Sequence, residues 1–181
     1  RDDVFSSLHS NEIDNLKIFD EHSIPKLETV LRMFPDMKFQ IDVKTDEVAM
    51  PALAIIQKNN AMDRVCIASF NSKRLNLVNN NYPDICISMG PYEVAKMLLS
   101  SFGLYKKSIL GNCLQIPIYE YGIKLVTKRF VKFIHSKGLK VCVWTINDEK
   151  TFKYLIDLGV DGIITDKPKL LFEVLDSATN Q

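Results

Sequence analysis

Asp42 and Lys44, in the segment 38-KFQIDVKTD-46, are the first side chains whose types and spacing could do chemistry. They stand two residues apart, and in a strand such positions share a face, so the carboxylate and the ammonium lie together. Alone the two form a local ion pair. With further oxygen donors the carboxylate becomes a ligand for a hard cation, and the ammonium faces an anionic substrate. Other residues that could join them sit at the ends of strand-like runs: Ser69 and Phe70, Gln115 before Ile116-Pro117, Trp144, and Asp166 after 162-GIIT-165. Each also has a plain structural reading. Trp144, the only tryptophan, suits a core. Gln115 suits a satisfied hydrogen-bonding position. Asn147 and Asp148 suit a strand-to-helix turn and N-cap. Asp166 suits a turn cap, and Gly159 and Gly162 suit tight loops.

The elements that must hold these residues alternate. β-Branched runs recur at 39-FQIDVK-44, 65-VCIASF-70, 85-ICISMG-90, 114-LQIPI-118, 141-VCVWTI-146 and 162-GIITD-166. Amphipathic stretches separate them, among them 51-PALAIIQKNN-60, 72-SKRLNLVNNN-81, 127-TKRFVKFIHSKG-138 and 148-DEKTFKYLIDLG-159. Ser72 and Asp148 are N-cap candidates, and Gly138 and Gly159 follow the last periodic residues as C′ glycines. Lys26 to Phe34 reads as a further helix stopped by Pro35. Strands alternating with helices predict an α/β fold with a parallel sheet. An open doubly wound sheet covers both faces with helices, and its strands read as continuous apolar runs. The polar second face of Gln40, Asp42 and Lys44 instead predicts a (β/α)8 TIM-type barrel, with Asp42 and Lys44 at the mouth. A complete barrel takes about 250 residues. Six βα units in 181 residues therefore predict an incomplete barrel, its first two strands absent. Residues 1–181 read as one domain. Residues 1–23 are read as a loop and short-helix insertion, the helix around 11-NEIDNLKIF-19.

Composition excludes several function classes. With 23 basic and 22 acidic residues, no global field draws the chain to nucleic acid or an anionic membrane. The longest apolar runs, such as 94-VAKMLLSSFGL-104, are too short and interrupted for a transmembrane segment. The stretch 94–107 reads as a covering helix beside the pocket in preference to a membrane-surface helix. Cys66, Cys86, Cys113 and Cys142 are far apart in sequence, without C-x-x-C or His/Cys ligand spacing. They read as buried free thiols of a reducing, cytoplasmic setting, and not as disulfides or a zinc site.

The order of 24-IPKLETVL-31, 35-PDMKFQIDVK-44, 64-RVCIASFN-71, 115-QIPI-118, 143-VWTIND-148 and 159-GVDGIITDKP-168 resembles the glycerophosphodiester phosphodiesterase family, its bacterial members above all. The most specific part is VWTIND followed some ten residues later by GVDGIITDKP. The resemblance implies a (β/α)8 barrel in lipid metabolism that hydrolyses small glycerophosphodiesters to glycerol 3-phosphate and an alcohol. It also implies a divalent metal, Ca2+ or Mg2+, and two catalytic histidines. Asp42 matches an acidic metal ligand. Lys44, Phe70, Gln115 and Trp144 match substrate-facing positions. No catalytic residue is matched. His9, His22 and His135 lack the family's context, and its His-Arg-Gly and Glu-x-Asp stretches have no counterpart. The chain is expected to begin just after them, with Arg1 a remnant of the following loop. Taken alone it is then expected to be inactive. A catalytically dead barrel that binds phosphodiester lipids or a partner is the alternative. An aldolase or isomerase barrel using Lys44 as a Schiff base ranks last.

Overall fold

The computed structural model describes residues 7–18 and 21–179. Arg1 lies outside them. The amino-terminal segment holds helix α1 (Ser10–Asp14) and an antiparallel ribbon of β1 (Lys17–Ile18) with β2 (His22–Ser23). The helix is shorter than the run 11–19 indicates. Asn15 caps it through its backbone N–H, and the chain then turns into the ribbon.

Regular βα alternation follows: α2 (Leu27–Met33), β3 (Phe39–Asp42), α3 (Asp46–Lys58), β4 (Val65–Ala68), α4 (Ser72–Asn81), β5 (Cys86–Ile87) and α5 (Pro91–Ser101). β6 (Cys113–Ile116) leads through a second ribbon, β7 (Tyr119–Glu120) with β8 (Ile123–Lys124), to α6 (Lys128–Ser136). β9 (Lys140–Val143), α7 (Glu149–Leu158), β10 (Gly162–Ile163) and α8 (Pro168–Thr179) follow. Helix α3 begins five residues before Pro51, where Asp46 and Glu47 favour the positive end of the helix dipole. The N-cap of α4 is Asn71, whose side chain accepts from the Lys73 N–H, and not Ser72. Ser72 instead donates to Glu93 of α5 at 2.7 Å. Asp148 caps α7 by accepting from the Thr151 N–H at 2.9 Å, and that bond holds its carboxyl below the usual range. Gly138 and Gly159 end α6 and α7 with φ of 72° and 77°, a left-handed region that glycine adopts without a Cβ penalty.

β3, β4 and β5 pair in parallel, as do β6, β9 and β10. A parallel bridge from Ser88 to Cys113 joins the two sets. The Met89 N–H donates to the Cys113 carbonyl at 2.8 Å, and Asn112 N–H to the Ile87 carbonyl at 2.7 Å. The result is one six-stranded parallel sheet with β3 and β10 as its edges. No pairing between those edges closes the sheet among the described residues. It is nevertheless curled. β3 and β6 are three strand spacings apart, about 14 Å in a flat sheet. Yet Gln40 on β3 donates a side-chain hydrogen bond to Gln115 on β6. Only strong curvature brings them into contact.

The two faces of the curl differ as the alternation in 39–44 predicts. Outward residues pack under helices: Ile67, Leu114 and Val141 are fully buried, and Val43 is buried beside partly buried Phe39 and Ile41. One core joins β3–β5 to α2–α4, and the other joins β6 and β9 to α5–α8. Phe152 and Leu155 of α7 are fully buried, and each such side chain contributes roughly 2 kcal/mol on transfer from water. The inward face carries Gln40, the four cysteines and Gln115. Gly162 is a strand residue and not a loop glycine. A Cβ there would lie 2.8 Å from the Cys142 sulfur.

Two side chains pin the loops at the strand ends. Arg74 of α4, only 10% exposed, reaches back to the loop after β3. Its Nε donates to Asp46 at 2.7 Å, and its Nη1 to the Val43 carbonyl at 2.7 Å and Ser69 Oγ at 2.8 Å. Ser69 Oγ in turn donates to the same Val43 carbonyl at 3.0 Å. Asn147 joins the last two strand ends. Its Oδ1 accepts from Thr165 Oγ1 at 3.0 Å and the Asp166 N–H at 2.9 Å, while its Nδ2 donates to Asp166 at 2.9 Å.

Replacing Arg74 by Met keeps the stem but leaves the Val43 carbonyl short of a donor. We expect a loss of about 2–3 kcal/mol, read from the urea midpoint at unchanged slope.

A pH effect arises on the opposite side of the sheet. Burial opposes ionisation of Asp161, but the Val141 N–H and His135 Nε2, each at 2.8 Å, outweigh it and hold the carboxyl below its usual range. A depressed folded-state value means stability present above the unfolded carboxylate value of about 3.9. That stability is lost as pH falls through the lower folded value. Asp161→Asn should therefore flatten the thermal midpoint between pH 4 and lower values, roughly, relative to the parent chain.

Candidate active site

The carboxyl ends of the strands open into one cavity of about 650 Å³. β3 contributes Gln40 and Asp42, the β4 end Ser69 and Phe70, β6 Gln115, and the β9 end Trp144 and Thr145. Ligands of parallel α/β folds bind at this end because successive loops converge there. The strand period sends Gln40 and Asp42 inward while Ile41 and Val43 face helices, so the polar rim and the core are two sides of one strand.

Asp42 and Lys44 meet in an ion pair at the rim. Asp42 lines the cavity; Lys44 stands at its edge, with Nζ 5.7 Å from the Phe70 ring centre, within cation–π reach. Phe70 is 66% exposed and meets Trp144 edge-to-face at 6.4 Å and 82°. Trp144 is half-buried in the cavity wall, so the core reading does not hold for it. Gln115 is tied to Gln40 across the interior. The structure thus gathers Asp42, Lys44, Phe70, Gln115 and Trp144 around one opening.

Other residues fall elsewhere. Asp166 is taken up by Asn147 in a loop staple. His135 pairs with Asp161 at the amino ends of β9 and β10, His9 precedes α1, and His22 lies 3.7 Å from Glu21 on the exposed amino-terminal ribbon. Among the described residues no histidine lines the cavity. Lys44 is exposed and ion-paired, so it lacks the desolvation that activates a Schiff-base lysine.

Sequence reasoning missed the β7–β8 ribbon, which brings Glu120, Tyr121 and Ile123 to the cavity. Its signal was present in 119-YEYGIK-124. Tyr121 and Gly122 both have positive φ, 47° and 77°, the pattern of a two-residue hairpin turn. Facing the polar rim, α5 presents Val94, Ala95 and Leu98, so the far wall of the cavity is apolar. A ligand with an anionic head and a less polar remainder matches this division.

Comparison with known proteins agrees with this arrangement. Residues 3–170 match the model of the glycerophosphoryl diester phosphodiesterase family. The chain is 33% identical over 162 residues to the "Probable glycerophosphodiester phosphodiesterase 2" of Mycobacterium tuberculosis, covering 84% of this chain and 60% of that protein. It therefore spans about three-fifths of that relative's length. A glycerophosphodiester phosphodiesterase of Parabacteroides distasonis superposes with a TM-score of 0.74 at 21% identity, over 96% of this chain and 73% of that one. A phosphodiesterase of Oleispira antarctica, solved in complex with sn-glycerol 3-phosphate, superposes at 0.66 with 19% identity, over 85% and 62%. These structures share the fold, that of TIM-barrel enzymes. With a family match running through both halves of the sheet and every strand end that lines the cavity, the chain belongs to the glycerophosphoryl diester phosphodiesterase family.

Proposed function

We propose that this chain is part of a barrel enzyme that hydrolyses glycerophosphodiesters to glycerol 3-phosphate and an alcohol, in cytoplasmic lipid metabolism. The observation that carries the reading is the gathering of Asp42, Lys44, Phe70, Gln115 and Trp144 around one cavity at the strand ends. The glycerol 3-phosphate held by the related phosphodiesterase supports the same substrate class.

In this reading Lys44 attracts the anionic phosphodiester, and Phe70 and Trp144 form the wall against which the glycerol packs. Gln115, held by Gln40, offers a fixed amide to a hydroxyl or phosphoryl oxygen. Asp42 is one ligand of a divalent cation, Ca2+ or Mg2+. Such a cation, when bound, holds phosphoryl oxygens and stabilises their developing charge. The donor set described is too small for that ion. Asp42 and Glu120 are the carboxylates on the cavity wall among the described residues, and Asp42 is engaged by Lys44. A hard cation takes six or more oxygens, and protonation of the leaving alkoxide needs a general acid. We therefore derive no step through the metal and expect these 181 residues alone not to turn over. A barrel that binds phosphodiesters without hydrolysing them is the second reading, favoured by the cavity's lack of an imidazole among the described residues.

The test is hydrolysis of glycerophosphocholine with Mg2+ or Ca2+. The 181-residue chain should release no more glycerol 3-phosphate than its Asp42→Asn variant. Metal-dependent turnover by the chain itself overturns the expected inactivity. In the longest chain that the gene encodes, turnover should appear and fall by about 100-fold or more in Asp42→Asn. Absence of turnover there, with glycerol 3-phosphate still bound in calorimetry, selects the second reading.

Trp144→Ala in that active chain should raise KM while leaving the fold intact by circular dichroism. An unchanged KM removes the indole from the substrate wall.

A further inference from the structure

Deeper inside the curl, three thiols converge. Cys66, Cys86 and Cys113 stand on β4, β5 and β6, three neighbouring strands. Cys66 and Cys86 are register partners, and Cys113 bridges to Ser88 beside Cys86. Their sulfur atoms all lie within 4.8 Å of one another, and the Cys66–Cys113 pair is at 3.7 Å. All are free thiols and half-buried.

The spacing fits an ion. Thiolates about 2.3 Å from a central metal stand roughly 3.8–4.0 Å apart in tetrahedral or trigonal sets. One edge already has that length, and rotation about χ1 brings in the others. Gln115 Nε2 points a donor at the Cys113 sulfur from 4.0 Å, the kind of outer contact that orients a ligand.

We propose that Cys66, Cys86 and Cys113 form a binding site for one soft, thiophilic cation, Cu(I), held by three sulfurs. Soft thiolates select this ion, and three-coordination requires no fourth protein ligand. The site is distinct from the rim. Cys66 precedes Ala68, the register partner of Asp42, by two residues, about 7 Å along the strand. Binding transfers no electrons; it releases the protons of the three thiols. It does not depend on the phosphodiesterase reading, since sulfur here meets a soft ion and Asp42 a hard one.

The experiment titrates the full chain, reduced and anaerobic, with Cu(I) against a chromophoric Cu(I) chelator. One equivalent should be retained, and excess Ca2+ should not displace it. The Asp42→Asn variant should retain it equally, which separates this outcome from any failure of the hydrolase reading. Cys66→Ser and Cys113→Ser should each weaken retention by at least about tenfold. Because a serine variant could fail to fold, a second measurement uses the parent chain. Stoichiometric Cu(I) should slow alkylation of Cys66, Cys86 and Cys113 together, read by mass spectrometry. Unaltered alkylation of these three, loss of Cu(I) to the chelator, or undiminished affinity in folded serine variants overturns the site.

Discussion

Curvature of the parallel sheet is the constraint on which the rest depends. In a flat sheet Gln40 and Gln115 would stand far apart, and Phe70 would not reach Trp144. Curled, the same strands turn one face into an interior and the other into a floor for helices. The outward face then supplies the stability, since Ile67, Leu114 and Val141 lose all contact with water. The inward face is released from that task and can carry polar, charged and sulfur-bearing side chains. Function is located by this division of labour between alternate residues.

Curvature alone would leave the rim loose, because the side chains of the candidate site sit where strands become loops. The loop after β3 is drawn down by Arg74, a nearly buried guanidinium that gathers a backbone carbonyl, a hydroxyl and an exposed carboxylate. The loops after β9 and β10 are joined through Asn147. A guanidinium suits the first task because its planar fork serves several acceptors at once. An amide suits the second because it both donates and accepts. Neither residue need touch a substrate to matter to the site. Each limits how far Asp42 or Trp144 can drift, and a misplacement of an ångström is costly in catalysis.

The interior also holds two sets of side chains. Asp42 and Lys44 lie at the rim, where water can reach them. The cysteines lie along the same inward face, level with Gln40, Gln115 and Lys140 in the strand register. Gln115 touches both sets, through Gln40 on one side and Cys113 on the other.

How far this was legible from the chain can be followed through particular residues. The alternation in 38-KFQIDVKTD-46 and the helical spacing of Phe130, Val131 and Ile134 determined element type, because periods of two and of 3.6 are local properties of the backbone. The VWTIND and GVDGIITDKP motifs pointed to the family, and the same resemblance singled out Asp42, Lys44, Phe70, Gln115 and Trp144, which the fold places around one opening. Cap choice was partly legible: Asp148 was found, but Asn71 was mistaken for its neighbour, one residue being below the resolution of pattern reading. Arg74, the β7–β8 ribbon at the cavity and the thiol cluster were decided only in three dimensions. The cysteines are separated by some 20 to 27 residues, and no linear spacing rule reaches that far. Strand register, set by side-chain packing across the sheet, brings their sulfurs together.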